Sequence, residues 1–145
     1  PYLIITDEMT HALCLAAKRG VDVRIITPGM PDKKLIYSIT RSFYHGLVKN
    51  GVRIYEWTPG FCHAKMSVAD DCMATCGTIN LDYRSLYHHF ENGCFMADSQ
   101  TVLDIRDDLG ATMNECREVT EKYRTGRSAY LRLGQLFMRL FAGLL

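Results

Sequence analysis

The sequence predicts an α/β fold built on a mixed, largely parallel sheet with helices on both faces. Strand-like and helix-like segments alternate from residue 2 to residue 57, and a glycine closes each helical segment, at Gly20 and Gly51. This alternation is typical of parallel strands that are joined by right-handed helical crossovers. With 145 residues, the chain has the size of one ordinary domain around a single core.

Each element of the first half follows from a local pattern. Residues 2–6 form an apolar run typical of a strand, and residues 7–19 carry apolar side chains at helical spacing with two acids in the first turn. Apolar and charged residues alternate over residues 21–25, which is the two-residue period of a strand. Residues 32–49 place apolar side chains at four-residue steps and predict a second helix, and residues 52–57 predict the next strand.

The middle of the chain changes character and predicts a hairpin. Residues 63–69 and 72–77 are two short strand-like runs, and only Asp70 and Asp71 separate them. Two polar residues between two strand-like runs indicate a tight turn that joins antiparallel strands.

The last third of the chain predicts a polar loop over residues 80–85, an apolar stretch over 90–97 and a helix over 99–123. A final helix over 130–145 has a wide apolar face and a narrow polar stripe. The last 24 residues contain five basic residues and no acid. We therefore divide the chain into one domain, residues 1–129, and a basic amphipathic helix that either packs on protein or lies on an anionic membrane surface.

Composition excludes some classes of protein. A net charge of +1 gives none of the basic character of a dedicated nucleic-acid binder, and no stretch reaches the roughly 20 apolar residues that cross a bilayer. The six cysteines contain no C-x2-C pair, which argues against a zinc site at Cys62 and His63 and favours a reducing compartment. We expect neither a metal nor a cofactor.

Polar residues with phosphate chemistry converge on the predicted hairpin. Alternate side chains of an extended strand share a face, so His63 and Lys65 point the same way. With the turn at the two aspartates, Cys76 faces Lys65 and Thr78 faces His63 across the ladder. Asn80 then reaches the same place.

This set of groups suits phosphoryl chemistry without a metal. His63 offers a nucleophile or an acid, Lys65 a fixed positive charge, and Asn80 an amide donor for oxygen charge at phosphorus. To attack, the His63 ring must be neutral and held in orientation by an acceptor on its other nitrogen, for which Glu91 is the candidate.

The motifs resemble a known superfamily. The run His63-Ala-Lys65, four residues, Asp70, followed by Gly77-Thr78-Ile-Asn80, resembles the H-x-K-x4-D and G-[ST]-x-N signature of the phospholipase D superfamily. The residues around it, including Pro59-Gly60-Phe61, resemble the bacterial cardiolipin synthases in particular. The resemblance runs from residue 1 to about residue 97, and more loosely to the end.

The resemblance implies an activity and a role for each residue. The reaction is phosphatidyl transfer between two phosphatidylglycerol molecules through a phosphohistidine, giving cardiolipin and glycerol. Lys65 and Asn80 would bind the phosphate, Thr78 would line the site, and Glu91 would orient His63. Asp70 would be a buried structural partner, and its strand parity places it off the reacting face.

Family enzymes pair two such motifs, and this chain has one. We therefore expect an upstream half with the second motif, consistent with a chain that begins directly at a strand, or a homodimer that supplies a second His63. The isolated chain would then be almost inactive. The resemblance implies that the substrates are anionic phospholipids and not nucleic acid. It also implies that the full-length enzyme belongs to the bacterial cell membrane, and we expect this piece to be soluble or peripheral. The alternative is a single-motif phosphodiesterase or nuclease that is active as a homodimer.

Overall fold

The computed structural model describes residues 2–30 and 33–125. The predicted amphipathic helix over 130–145 and the domain boundary at residue 129 lie outside the described residues. No helix in the part of the chain that is described has both the length and the apolar character needed to cross a membrane.

The first half alternates strands and helices as predicted. The elements are β1 (Leu3–Ile4), α1 (Asp7–Lys18), β2 (Arg24–Pro28), α2 (Lys34–Lys49) and β3 (Arg53–Trp57). The Thr6 hydroxyl caps α1 by accepting a hydrogen bond from the Met9 amide at 3.2 Å. Both helices end beside a glycine with a left-handed backbone, at Gly20 (φ +95°) and Gly51 (φ +100°), a conformation that glycine adopts without strain.

The second strand lies three residues later than predicted. The amide of Val21 donates to the carbonyl of Ala16 at 3.1 Å, so Val21 still belongs to the end of α1. Parallel pairing with β3 begins only at Arg24, opposite Arg53. The predicted strand is therefore confirmed, but the first residues of the alternating pattern belong to the end of α1.

The core lies between the parallel strands and the helices. Strand β2 pairs with β3 in parallel, and β1 pairs in parallel with β6, a two-residue strand later in the chain (Leu81–Asp82). Helix α2 contacts β1, β3 and α1. Fully buried side chains from these elements form one cluster, which includes Leu3, Ile39, Leu47, Val52 and Ile54.

The second half adds shorter elements. They are β4 (Met66–Ala69), β5 (Met73–Gly77), β6, a π-helical turn (Arg84–His88), β7 (Gly93–Ala97), α3 (Gln100–Glu115), β8 (Arg117–Glu118) and α4 (Thr120–Thr125). Strands β4, β5 and β7 form an antiparallel sheet, and β8 pairs antiparallel with β3. The pairing is mixed, as predicted, but among the described strands antiparallel ladders outnumber parallel ones, so "largely parallel" holds only for the core strands.

The helix predicted over residues 99–123 is broken in the structure. Helix α3 ends at Glu115, and the chain extends through Cys116 into β8. The amide of Val119 donates to the Ile54 carbonyl at 2.9 Å, and the Ile54 amide donates to the Thr120 hydroxyl at 3.1 Å. Pairing with β3 and burial of Val119 outweigh the helical pattern of the sequence.

The hairpin is present, but its register differs by one residue from the prediction. Met66 pairs with Cys76 and Ala69 pairs with Met73, so three residues form the turn instead of two. Asp70 (φ +49°) and Asp71 (φ +57°) both adopt the left-handed conformation, which aspartate tolerates better than most residues. The predicted pairs of Lys65 with Cys76 and of His63 with Thr78 are therefore wrong by one position.

Candidate active site

An open depression lies at the end of the hairpin away from its turn. Its volume is about 390 Å³, and its lining consists of His63, Ala64, Lys65, Met66, Cys76, Gly77, Thr78 and Asn80. The Gly77 amide donates to the Lys65 carbonyl at 3.1 Å and holds the two edges of the depression together. The structure thus brings His63, Lys65, Thr78 and Asn80 to one place, despite the shift in register.

His63 and Lys65 are in direct contact. The Lys65 ammonium lies 3.0 Å from both ring nitrogens of His63 and donates to the His63 carbonyl at 2.8 Å. An ammonium group is only a donor, so the ring nitrogen that accepts from it must carry a free lone pair. Burial lowers the pKa of Lys65, while the nearby Glu91 carboxylate opposes that shift.

The Phe61 ring packs against the His63 ring, a contact that the sequence did not predict although Phe61 belongs to the segment that carries the family resemblance. Its ring stacks on the His63 ring, with 5.6 Å between centroids and 18° between planes. The side chain of Phe61 is nevertheless 57% exposed. Residues two apart in an extended segment share a face, so the signal was present in the spacing of Phe61 and His63.

Thr78 joins the end of β5 to the segment that carries Glu91. The Thr78 hydroxyl donates to the Glu91 carboxylate and accepts from the Asn92 amide at 3.0 Å. Hydrogen bonds from the Thr78 and Ser85 hydroxyls lower the pKa of Glu91, because they stabilise its ionised form. Glu91 therefore stays charged at neutral pH.

Among the described residues, Glu91 makes no hydrogen bond to the His63 ring that it was predicted to orient. Within residues 2–30 and 33–125, the hydrogen bonds of the His63 ring nitrogens come from Lys65 alone. The Glu91 carboxylate instead accepts hydrogen bonds from the hydroxyls of Thr78 and Ser85. In this conformation Glu91 acts on the depression through Thr78 and through its charge on Lys65.

Gly77 is required by a close approach of two backbones. A Cβ atom at this position would lie 2.2 Å from the carbonyl oxygen of Asn92 and 2.6 Å from the Cα of Gly93. Neither backbone atom can move without opening the ladder between β5 and β7. The glycine of the motif therefore lets the segment with Glu91 lie directly against Thr78.

Asn80 carries an unsatisfied group. Its side-chain Oδ1 atom is buried and has no hydrogen-bond partner among the described residues. A buried polar atom left unpaired costs about 1–3 kcal/mol, so native proteins rarely keep one without a reason. The chain that follows Asn80 is fixed, because β6 pairs with β1 and the Asp82 carboxylate accepts from the Ser85 amide at 2.7 Å.

Asp70 lies apart from the other motif residues. It is exposed in the hairpin turn, at the opposite end of β4 and β5 from the depression. The expectation that Asp70 is a buried structural partner is wrong for this chain, because the three-residue turn projects it into solvent. Its neighbour Asp71 forms the ion pair of this turn, with Arg106 at 3.1 Å.

The described residues contain no cluster of three or more histidine, cysteine or acidic side chains that is arranged to hold a metal ion.

The fold is that of a known class of protein. The phospholipase D family member Nuc from Salmonella typhimurium superimposes with a TM-score of 0.70 at 18% sequence identity, over 81% of this chain and 76% of that chain. The α/β framework with the hairpin at its edge is therefore a phospholipase D-like fold, as the resemblance implied.

The chain belongs to the family described as "Cardiolipin synthase, PLD-like domain", whose model matches residues 1–113. Over its full length it is 36% identical to a cardiolipin synthase of Clostridium perfringens and 33% identical to that of Halalkalibacterium halodurans, covering 30% and 29% of those proteins. It is 48% identical to an uncharacterized protein of Streptococcus mutans, of which it covers 32%. The chain thus spans about a third of the length of these relatives.

Proposed function

We propose that the chain supplies one half of a phosphatidyl-transfer site, in which a phosphodiester of phosphatidylglycerol binds at the depression. The observation that carries this proposal is the convergence of His63, Lys65, Thr78 and Asn80 around one open space. A fixed cation and an amide N–H donor at the same opening suit an anionic phosphate.

In the first step, a ring nitrogen of His63 attacks the phosphorus of phosphatidylglycerol. A P–N bond forms, the P–O bond to glycerol breaks, and the departing glycerol oxygen takes a proton from a general acid. Lys65 and the amide of Asn80 stabilise the negative charge that gathers on the phosphate oxygens. To make the attack, the ring must exchange its contact with Lys65 for a contact with substrate.

In the second step, a hydroxyl of another phosphatidylglycerol attacks the phosphohistidine. A new P–O bond forms, the P–N bond breaks, and the attacking hydroxyl gives its proton to a base. Cardiolipin leaves and His63 is regenerated. One imidazole cannot be both the nucleophile and the acid–base group, so the second motif supplies the proton carrier, from an upstream half or from a second copy of this chain.

An uncovered sheet face supports the need for a second half. Helix α3 contacts β4, β5 and β7, and Ala74 is buried at 2% exposure. The opposite face of the same sheet carries Met73 and Phe95, which are 41% and 67% exposed, and Phe90 beside the site is fully exposed. Apolar side chains in such numbers next to a depression are typical of a surface that another domain or a lipid layer covers.

A homodimeric phosphodiesterase or nuclease remains the second candidate. The Salmonella typhimurium protein supports this alternative, because 81% of this chain superimposes on 76% of that protein. A chain of about this length can therefore carry the fold without a second half. The near-neutral charge of +1 favours the lipid substrate, because nucleic-acid binders neutralise many phosphates with basic residues.

A chimera tests the proposed function. The chain replaces the matching segment of the Clostridium perfringens cardiolipin synthase, and turnover of phosphatidylglycerol vesicles is followed by mass spectrometry of the lipids. We expect cardiolipin from the chimera, none from the same chimera with His63→Gln, and an acid-labile phosphatidyl adduct on His63 only. Full activity of the His63→Gln chimera, or robust turnover by a demonstrated monomer of the chain alone, would falsify the proposal.

The same preparations decide between the candidates. Cleavage of DNA by the purified chain, lost on His63→Gln and accompanied by a dimer in solution, would favour the nuclease. Absence of DNA cleavage together with cardiolipin formation by the chimera favours phosphatidyl transfer.

A further inference from the structure

Two cysteines lie directly opposite each other on neighbouring strands beside the depression. Cys76 on β5 is the ladder partner of Cys94 on β7. Both are free thiols, and they are the two exposed cysteines of the six, while Cys14 is buried and the remaining three are intermediate. Cys76 also lines the depression together with His63 and Lys65.

The ladder geometry allows a bond between these two thiols. The amide of Thr78 donates to the carbonyl of Asn92, and the amide of Asp98 donates to that of Cys72, both at 2.8 Å. Hydrogen-bonded pairs alternate along an antiparallel ladder, so Cys76 and Cys94 also form such a pair, with about 5.5 Å between Cα atoms. That separation lies within the range of about 4.4–6.8 Å that disulfides span, and closing the bond requires the Cβ atoms of a hydrogen-bonded pair to approach by about 1–2 Å.

The other cysteines differ in ways that favour reaction at this pair. The thiolate is the reactive form of cysteine, and burial raises the pKa of Cys116 to about 11, which keeps its thiol protonated at neutral pH. Cys72 follows the hairpin turn, and its thiol donates weakly to the Ala69 carbonyl at 3.7 Å. Neither has a ladder partner that is a cysteine.

We propose that Cys76 and Cys94 form a reversible disulfide by exchange with a low-molecular-weight disulfide such as oxidised glutathione. One protein thiolate attacks the small disulfide, which releases one small thiol and leaves a mixed disulfide. The second protein thiolate attacks the protein sulfur of that mixed disulfide and releases the second small thiol. Two protein thiols are oxidised to one disulfide, and one small disulfide is reduced to two thiols.

The position gives the modification a consequence for the site. The bond fixes β5 to β7 one residue before Gly77, where the two backbones already meet. An exposed disulfide is easily reduced, which suits a reversible change. A mixed disulfide that stays on Cys76 projects into the depression, whereas the closed pair leaves the depression open.

Mass spectrometry of the purified chain tests this proposal. After incubation with oxidised glutathione, we expect a mass lower by two hydrogen atoms, peptides that link Cys76 to Cys94, and return to the starting mass with excess thiol. Cys76→Ser and Cys94→Ser should each abolish the loss of two hydrogens and retain glutathione on the remaining partner. The matched control Cys72→Ser should oxidise like the parent chain.

Three results would overturn the proposal. They are an unchanged mass across the full range of glutathione ratios, linked peptides that join other cysteines, and covalent dimers as the main product on a non-reducing gel. Since each result is read from the chain itself, the outcome does not depend on the proposed lipid activity.

Discussion

The charged side chains around Glu56 and the polar side chains at the depression differ in how many of their hydrogen-bonding atoms have a partner. Glu56 on β3 is fully buried, and its carboxylate accepts from Arg41 at 2.9 and 2.7 Å and from Arg117 at 2.7 Å. At the depression, the Lys65 ammonium has only His63 as its hydrogen-bond partner among the described residues, and Asn80 Oδ1 has none. The fold gives both carboxylate oxygens of Glu56 a hydrogen-bond partner and leaves the Oδ1 atom of Asn80 without one among the described residues.

The difference separates a structural role from a binding role. Arg41 lies on α2 and Arg117 on β8, so Glu56 ties two elements to the central strand. Both groups contain charged side chains, so the presence of charge alone would not tell them apart. An unpaired buried atom beside an open space is the feature that indicates a ligand, because proteins usually break local rules of satisfaction at functional sites.

The largest effect is expected when the buried ion pairs of Glu56 with Arg41 and Arg117 are removed. Replacement Glu56→Gln leaves two arginines without their shared carboxylate, and we expect the free energy of unfolding to fall by about 2–3 kcal/mol, below the usual cost of opening a buried pair because Arg117 is 57% exposed. Urea denaturation measures the change. Glu121→Gln, which removes an exposed pair with Arg124, is the control and should cost less than about 0.5 kcal/mol. Equal losses for the two variants would show that the buried carboxylate has no special role.

The second prediction concerns activity. In the chimera, Lys65→Met should lower kcat about 10²–10³-fold, as is usual when one group that stabilises developing charge is removed. The free energy of unfolding of the chain should change by less than about 0.5 kcal/mol, since surface substitutions rarely do more. Lys49→Met, at the exposed end of α2, should alter neither quantity. A Lys65→Met variant with lower stability and unchanged turnover would show that Lys65 has a structural role and not a binding role.

The third prediction exploits the unpaired amide. Asn80→Leu replaces an unsatisfied buried atom with an apolar group of similar shape, so we expect the free energy of unfolding to rise by roughly 1 kcal/mol while cardiolipin formation by the chimera is lost. The control Asn50→Leu removes a bond from Asn50 Nδ2 to the Gly46 carbonyl at 2.7 Å and should destabilise the chain. If Asn80→Leu also lowers the free energy of unfolding, the Oδ1 atom already has a hydrogen-bond partner in the protein and is not available to a ligand.

How far the sequence predicts this molecule depends on the range of the interaction. Patterns within a few residues predicted α1, α2 and the placement of His63 beside Lys65, because strand and helix periods are local. The sequence could not show that β8 would interrupt a helical pattern, since that break depends on Ile54, more than sixty residues away. The register of the hairpin was wrong because Asp70 and Asp71 look like a two-residue turn, whereas their left-handed backbones form a turn with a third residue.

The partners of Glu91 show the same limit at the site. The need for an acceptor on the second ring nitrogen of His63 predicted an orienting contact with Glu91. In the structure the ladder between β5 and β7 places Thr78 against the segment that carries Glu91. The Thr78 hydroxyl therefore donates a hydrogen bond to the Glu91 carboxylate. The motif therefore predicted which residues gather at the depression, while the strand pairing decides which of them touch.

The smallest expected effect is on the protonation of Glu91. Its pKa lies below the ordinary value of 4.5 because the Thr78 hydroxyl donates to it first, with Ser85 second. A lowered pKa in the folded state means that Glu91 contributes to stability above its unfolded pKa and loses that contribution as the pH falls through the folded value. Thr78→Val should therefore raise the pKa of Glu91 toward 4.5 and weaken the acid dependence of unfolding, with the pKa read from the carboxyl carbon by NMR. Ser85→Ala should raise it less, and Thr78→Ser, which keeps the hydroxyl, should leave it in place. If the pKa of Glu91 is unchanged by Thr78→Val but rises on His63→Gln, Glu91 contacts the histidine directly. That result would establish the orienting contact that is absent from this conformation.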